Sequence, residues 1–131
     1  MLKSIKSFDK TRIAYDLHGK AKTNTLFFIH GAGGDYGGWS KERKYFHKKG
    51  FTTIAMDLRG HGLSERPMLA RDYKLKNFAE DVQAIIRKEQ LKKPVLIGHC
   101  FGGMVLMQYQ KMYPNNAKSY ILVDKIGRAH V

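Results

Sequence analysis

Three short runs rich in apolar and β-branched residues, each followed at once by a glycine-bearing segment, constrain this chain most. Thr25–Ile29 (TLFFI) runs into the glycine-rich stretch His30–Gly38, and Phe51–Met56 (FTTIAM) into Asp57-Leu58-Arg59-Gly60-His61-Gly62. Pro94–Ile97 (PVLI) runs into Gly98-His99-Cys100-Phe101-Gly102. Apolar runs of this length without alternation suit strands buried on both faces, the condition of a parallel sheet. Helical patterns lie between them. Trp39–Lys49 reads as a helix stopped at Gly50. Leu75–Leu91 carries Leu75, Phe78, Ala79, Val82, Ile85 and Ile86 at spacings of three and four, with Lys76, Glu80, Asp81, Arg87 and Lys88 assigned to the other side. Phe101–Met112 reads as a helix ending before Pro114, and Ser119–Val123 (SYILV) as a last strand. Leu2–Phe8 and Arg12–Leu17 flank the Asp9-Lys10 turn and predict a hairpin. This order predicts an α/β fold, a mostly parallel sheet with helices on both faces.

Composition narrows the function classes. At 131 residues the chain is one domain or part of one, at about 150 residues per domain. No apolar run approaches the ~20 residues of a membrane span, and MLKSIKSFDK lacks the apolar core of a signal peptide. The single cysteine, Cys100, has no internal disulfide partner, so a reducing cytoplasm is the natural setting. The net charge of +13 raises nucleic acid as a partner. The basic residues are scattered from Lys3 to Lys125, without a block of like charges or interleaved aromatics, so a solvated surface is the better reading. Neither nucleic acid nor a membrane is expected as partner. The histidines show no paired ligand spacing with one another or with Cys100, so no metal is expected. The phosphate-cradling G-x-x-x-x-G-K-[ST] pattern is missing.

Gly98-His99-Cys100-Phe101-Gly102 carries the chemistry. It matches G-x-S-x-G with Cys in place of Ser, and it sits between a strand and a helix. In such a nucleophile elbow the chain turns sharply and the reactive side chain stands at the apex. The flanking glycines avoid Cβ clashes with strand and helix. Cys100 lies at a helix N-terminus, whose partial positive charge favours a thiolate. The backbone N–H of Phe101 is placed to donate to an oxyanion. A free cysteine is more often a small buried hydrophobe, but two glycines framing it at a strand–helix junction argue against that role here. His99 is read as structural, because adjacent residues at a tight apex are expected to point apart.

The segments FFIHGAGGDYGGW, MDLRGHGLSERP, FAEDVQAIIRKEQLKKPVLIGHCFGGMVLMQYQKMYP and SYILVD appear in an order that resembles the N-terminal part of an α/β-hydrolase. The resemblance covers nearly the whole chain. It implies an oxyanion hole built from the backbone N–H groups of Ala32 and Phe101. It implies structural roles for His30 and Asp57, and a loop Asp57–Ser64 lining the site. It implies a small-molecule substrate with an ester-like carbonyl, attacked by Cys100, and no cofactor. Two departures stand out. The family's usual nucleophile is Ser, although members resembling dienelactone hydrolase use Cys. The chain order nucleophile, acid, histidine is also incomplete, because His130 follows too soon after SYILV and Asp124 is read as structural. The tail Ile126–Val131 (IGRAHV) does not continue the pattern and resembles a translated sequencing adapter. Residues 1–125 are therefore expected to be the N-terminal part of one α/β-hydrolase domain, truncated after about the sixth strand. Residues 126–131 are expected to be a non-native tail. Such a fragment is expected to be inactive and aggregation-prone, with SYILV as an apolar edge.

Two other readings compete. Gly31-Ala32-Gly33-Gly34-Asp35-Tyr36-Gly37 fits a variant dinucleotide-binding loop, with Asp57 roughly where an acid would hold a ribose hydroxyl. That leaves the Cys100 elbow unexplained. A non-catalytic binding protein of the same fold is the second.

Overall fold

The computed structural model describes residues 1–20 and 22–123. The strands are β1 (Leu2–Lys6), β2 (Arg12–His18), β3 (Thr25–Ile29), β4 (Thr52–Met56), β5 (Val95–His99) and β6 (Ser119–Val123). The helices are α1 (Ser40–Lys48), α2 (Leu75–Glu89) and α3 (Phe101–Met112), with 3₁₀ turns at Tyr36–Trp39 and Ala70–Tyr73. The six strands form one sheet in the order β1-β2-β4-β3-β5-β6. β4, β3, β5 and β6 run parallel, while β2 is antiparallel to both β1 and β4. This is the architecture expected from the alternating pattern.

β3 and β4 are buried at every position, so alternate side chains feed two cores. Phe27, Ile29, Ile54, Met56 and Leu96 pack with α2 and α3. Leu26, Phe28, Ala55 and Ile97 face the other way, against Trp39, Phe46 and Phe51. The helix stops follow the punctuation. Gly50 adopts φ +96° just beyond α1, and Phe51 N–H returns to the Phe46 carbonyl at 3.1 Å. α3 ends at Met112, before Pro114.

One expectation is overturned. Asp81 lies on the buried side of α2 and is fully inaccessible. The reason is Arg59, equally inaccessible, which donates from Nε to Asp81 Oδ2 and from a terminal nitrogen to Oδ1, both at 2.7 Å. Arg59 also donates to both oxygens of Asp9 and to the Asp72 carbonyl at 2.8 Å, which employs all five of its N–H groups. Ser7 Oγ donates to Asp81 as well. The hub therefore ties the hairpin turn, the segment after β4, the Ala70–Tyr73 turn and α2 together.

Candidate active site

The parallel strands β3, β4 and β5 each deliver a loop at their C-terminal ends, and the candidate site is built there. Cys100 follows β5 directly and starts α3. Its backbone sits at φ 52°, ψ −112°, a region that L side chains rarely adopt. The flanking glycines are sterically required. A Cβ on Gly98 would come within 2.7 Å of the Gly102 backbone, and one on Gly102 within 2.5 Å of the Ile29 carbonyl oxygen. Gly102 is where the end of β3 crosses the first turn of α3. Cys100 is exposed. Its N–H donates to the Val123 carbonyl at 3.0 Å, which ties the apex to β6. Phe101 anchors its ring edge-on against Phe78, 5.0 Å between centroids, and occupies the first position of α3. At that position the backbone N–H has no carbonyl of a preceding helical turn to meet.

His99 departs from expectation. Its Nε2 lies 3.4 Å from Cys100 Sγ, so the two adjacent side chains meet instead of diverging. The sharp backbone bend at Cys100 swings Sγ back toward the residue before it. Gly31 makes room for this, because a Cβ there would fall 3.2 Å from His99 Nδ1 and 3.4 Å from Cys100 Cβ.

The loop after β3 forms the opposite wall. Gly34 N–H closes a turn onto the Gly31 carbonyl at 3.0 Å, with Ala32 and Gly33 at its centre. Gly33 has φ +83°, the conformation a type II turn needs at its third position. Ala32 is exposed on this turn. A cleft of about 450 Å³ lies here, with Gly31, Ala32, Asp35, Trp39 and His99 on its walls. Beside it an apolar groove of about 490 Å³ is lined by Cys100, Phe101, Met104, Met107, Leu122 and Val123.

The segment Asp57–Ser64 does not line the cleft, contrary to expectation. It braces the β3 loop from behind. Asp57 is fully buried and accepts Tyr36 N–H through Oδ1 and Leu63 N–H through Oδ2, both at 2.8 Å. A Cβ on Gly62 would fall 2.3 Å from that carboxylate. Both carboxylate oxygens of Asp57 are thus committed inside the protein, which removes the acid that a ribose-binding site needs. His30 is buried, as its structural reading expected, and accepts Leu58 N–H through Nε2 at 3.0 Å. Burial pushes its pKa below the usual imidazole value. Ser64 Oγ donates to the Asp57 carbonyl at 2.6 Å and accepts Ala14 N–H at 2.8 Å, pinning the segment to β2.

The bracing roles of Arg59, His61 and Ser64 were not assigned from sequence. The compact D-L-R-G-H-G-L-S string, with glycine at two tight positions, was their signal. No group of metal-ligating side chains occurs among the described residues, and no described helix is long and apolar enough to cross a membrane. Asp124, His130 and the tail from 126 lie outside the described residues.

Comparison with known proteins fits this geometry. A family model described as alpha/beta hydrolase fold matches residues 24–131. Protein ABHD8 of Homo sapiens is 36% identical over 102 residues, 78% of this chain and 23% of that protein. The bifunctional esterase/perhydrolase DCH of Acinetobacter calcoaceticus is 32% identical over 108 residues, 82% of this chain and 38% of that protein. The crystal structure of an epoxide hydrolase from Vigna radiata superposes with a TM-score of 0.87 at 20% identity, over 99% of this chain and 42% of its own. The chain therefore spans about a quarter to two fifths of the curated relatives it matches.

Proposed function

This chain belongs to the α/β-hydrolase fold family, and from that premise we propose that its parent protein is a cytoplasmic hydrolase or acyl-transfer enzyme that uses Cys100 as nucleophile. The observation that carries the reading is the strained backbone of Cys100 at the strand–helix apex, held by two glycines that tolerate no Cβ. Strain of this kind costs about 1–3 kcal/mol and persists where the surroundings enforce it, commonly at reacting side chains. The similarity to an esterase supports the hydrolase class.

In this reading the Cys100 thiolate forms a bond to the carbonyl carbon of an ester, lactone or thioester. The carbonyl π electrons move onto oxygen, and the backbone N–H groups of Ala32 and Phe101 hold the resulting oxyanion. Collapse of the tetrahedral species expels the leaving oxygen or sulfur, which takes up a proton. Water then releases the acyl group. Each oxyanion donor is worth about 10²–10³ in rate. His99, 3.4 Å from Sγ, is placed to share the thiol proton in the first step. The base that activates water, with its acid, comes from residues outside this chain, of which 1–125 are the N-terminal part of one domain and 126–131 a non-native tail. The 131-residue chain is thus acylated once and does not turn over. No cofactor enters, and the partner is a small-molecule substrate.

The test is mass spectrometry of the chain after incubation with p-nitrophenyl acetate. One acetyl group on Cys100 without continued nitrophenol release is expected, and none in Cys100→Ala. An unmodified Cys100 would sink the nucleophile reading and leave a non-catalytic binding role. Sustained turnover that disappears in Cys100→Ala would overturn the claim that the base lies elsewhere.

A further inference from the structure

Two imidazoles join the loop after β3 to the loop after β4, in opposite directions. His30 reaches from the first loop and accepts Leu58 N–H of the second at 3.0 Å. His61 reaches from the second and accepts Gly33 N–H of the first at 3.1 Å. The two rings lie 5.0 Å apart, centroid to centroid. In each ring Nδ1 faces a carbonyl, Gly31 at 2.6 Å for His30 and Arg59 at 3.1 Å for His61. A carbonyl only accepts, so each Nδ1 must carry hydrogen. A backbone N–H only donates, so each Nε2 must be bare. The contacts therefore select one neutral tautomer in both rings.

We infer that His61 is a positioning residue for the oxyanion loop, and that the loop keeps its shape only while the His61–His30 pair is neutral. The inference rests on the assignment of Ala32 N–H to the oxyanion hole. Gly33, the residue His61 holds, adjoins Ala32 in the same turn and stands at φ +83°. Adding a proton to His61 Nε2 sets donor against donor and releases that turn. The two rings sit in different surroundings. His30 is buried. Asp57 and Asp35 are the acidic groups that act on it, and His61 is the neighbouring base. Both Asp57 oxygens already accept backbone N–H groups, and Asp35 accepts Gly37 N–H. The Arg59 guanidinium turns away to Asp81 and Asp9. His61 is only half-buried, so solvent reaches its ring more readily than that of His30.

The test uses the full chain with two readouts. Ring-nitrogen NMR at pH 8 should find both imidazoles protonated at Nδ1 alone. As pH is lowered from 8 to 5, the Gly33 amide should lose protection against exchange, measured relative to its intrinsic exchange rate at each pH. Single-turnover acetylation of Cys100 should also slow by more than it does in His61→Gln. The glutamine keeps an acceptor near the Nε2 position and has no proton to gain, so its acid limb should flatten. His61→Ala should slow acetylation on the order of tenfold at pH 8, with the gap to the unsubstituted chain narrowing in acid, because a misplaced donor stabilises the oxyanion poorly. An acid limb in His61→Gln identical to the unsubstituted chain would overturn the inference. So would Gly33 protection from exchange, relative to the intrinsic rate, unchanged by pH and by His61→Ala. Should Cys100 resist acetylation altogether, the nucleophile reading fails, while tautomer and exchange data still decide what His61 holds.

Discussion

The two halves of the sheet's loop-bearing rim are built by opposite rules. On the β3/β4 side nearly every polar group is spoken for. Asp57, His30, His61 and Ser64 each bridge two segments, and Arg59 behind them meets all its donors. On the β5/β6 side the backbone is strained at Cys100, the thiol is exposed, and Met104, Met107 and Leu122 stand open beside it. The contrast teaches how rigidity and exposure are divided. A buried charge is tolerated only when all its partners are present, so the first half admits one arrangement. The second half stores strain where a side chain must be presented.

The sharpest way to break the contrast is to remove the cation of the closed half. Arg59→Met leaves the buried Asp81 carboxylate without its cation, and should cost about 3–5 kcal/mol in urea unfolding. Gly102→Ala attacks the seam between the halves. Its methyl group would overlap the Ile29 and His30 carbonyl oxygens, backbone atoms that cannot rotate away. A loss of about 1–3 kcal/mol is expected, with slower Cys100 alkylation as the apex shifts. Cys100→Gly should do the reverse, since it removes the thiol and relieves the strained φ. A gain of about 1 kcal/mol in the same unfolding assay marks the strain as real, and equal or lower stability counts against it.

Acid offers a gentler probe of the closed half. Burial pushes the Asp9 carboxyl up, but hydrogen bonds from Arg59 and Thr11 overcome this and hold it at about 2, below the ordinary 3.8. A carboxyl lowered in the folded state adds stability above its unfolded value, and that stability is lost as pH falls through the folded one. Asp9 should therefore lose its contribution between about pH 4 and pH 2. Asp9→Asn should flatten that part of the stability curve, and a curve of unchanged slope would remove Asp9 from the hub's acid response.

Much of the fold was legible because its signals are local. TLFFI and SYILV became strands at the expected limits, Gly50 and Pro114 bounded helices as expected, and the G-H-C-F-G pattern marked the strand–helix apex. The strand–helix bend at Cys100 was legible, the contacts around it less so. His99 was expected to turn from the thiol, because the bend at Cys100 is a torsion that residue names do not carry. Asp81 was placed on the wrong face of α2, since a charge at that helical phase is ordinarily solvated. Its burial depends on an arginine 22 positions away.

By itself the sequence determined the element order, the parallel α/β class and the position of the strand–helix bend, all of which follow from periodicity and from glycines whose neighbours leave no room for a Cβ. The tertiary structure alone decided which polar residues face inward and which loop braces which. Pairing Arg59 with Asp81, or His61 with Gly33, is a long-range match of donors to acceptors, and such matches exist only once the strands have brought distant segments into register.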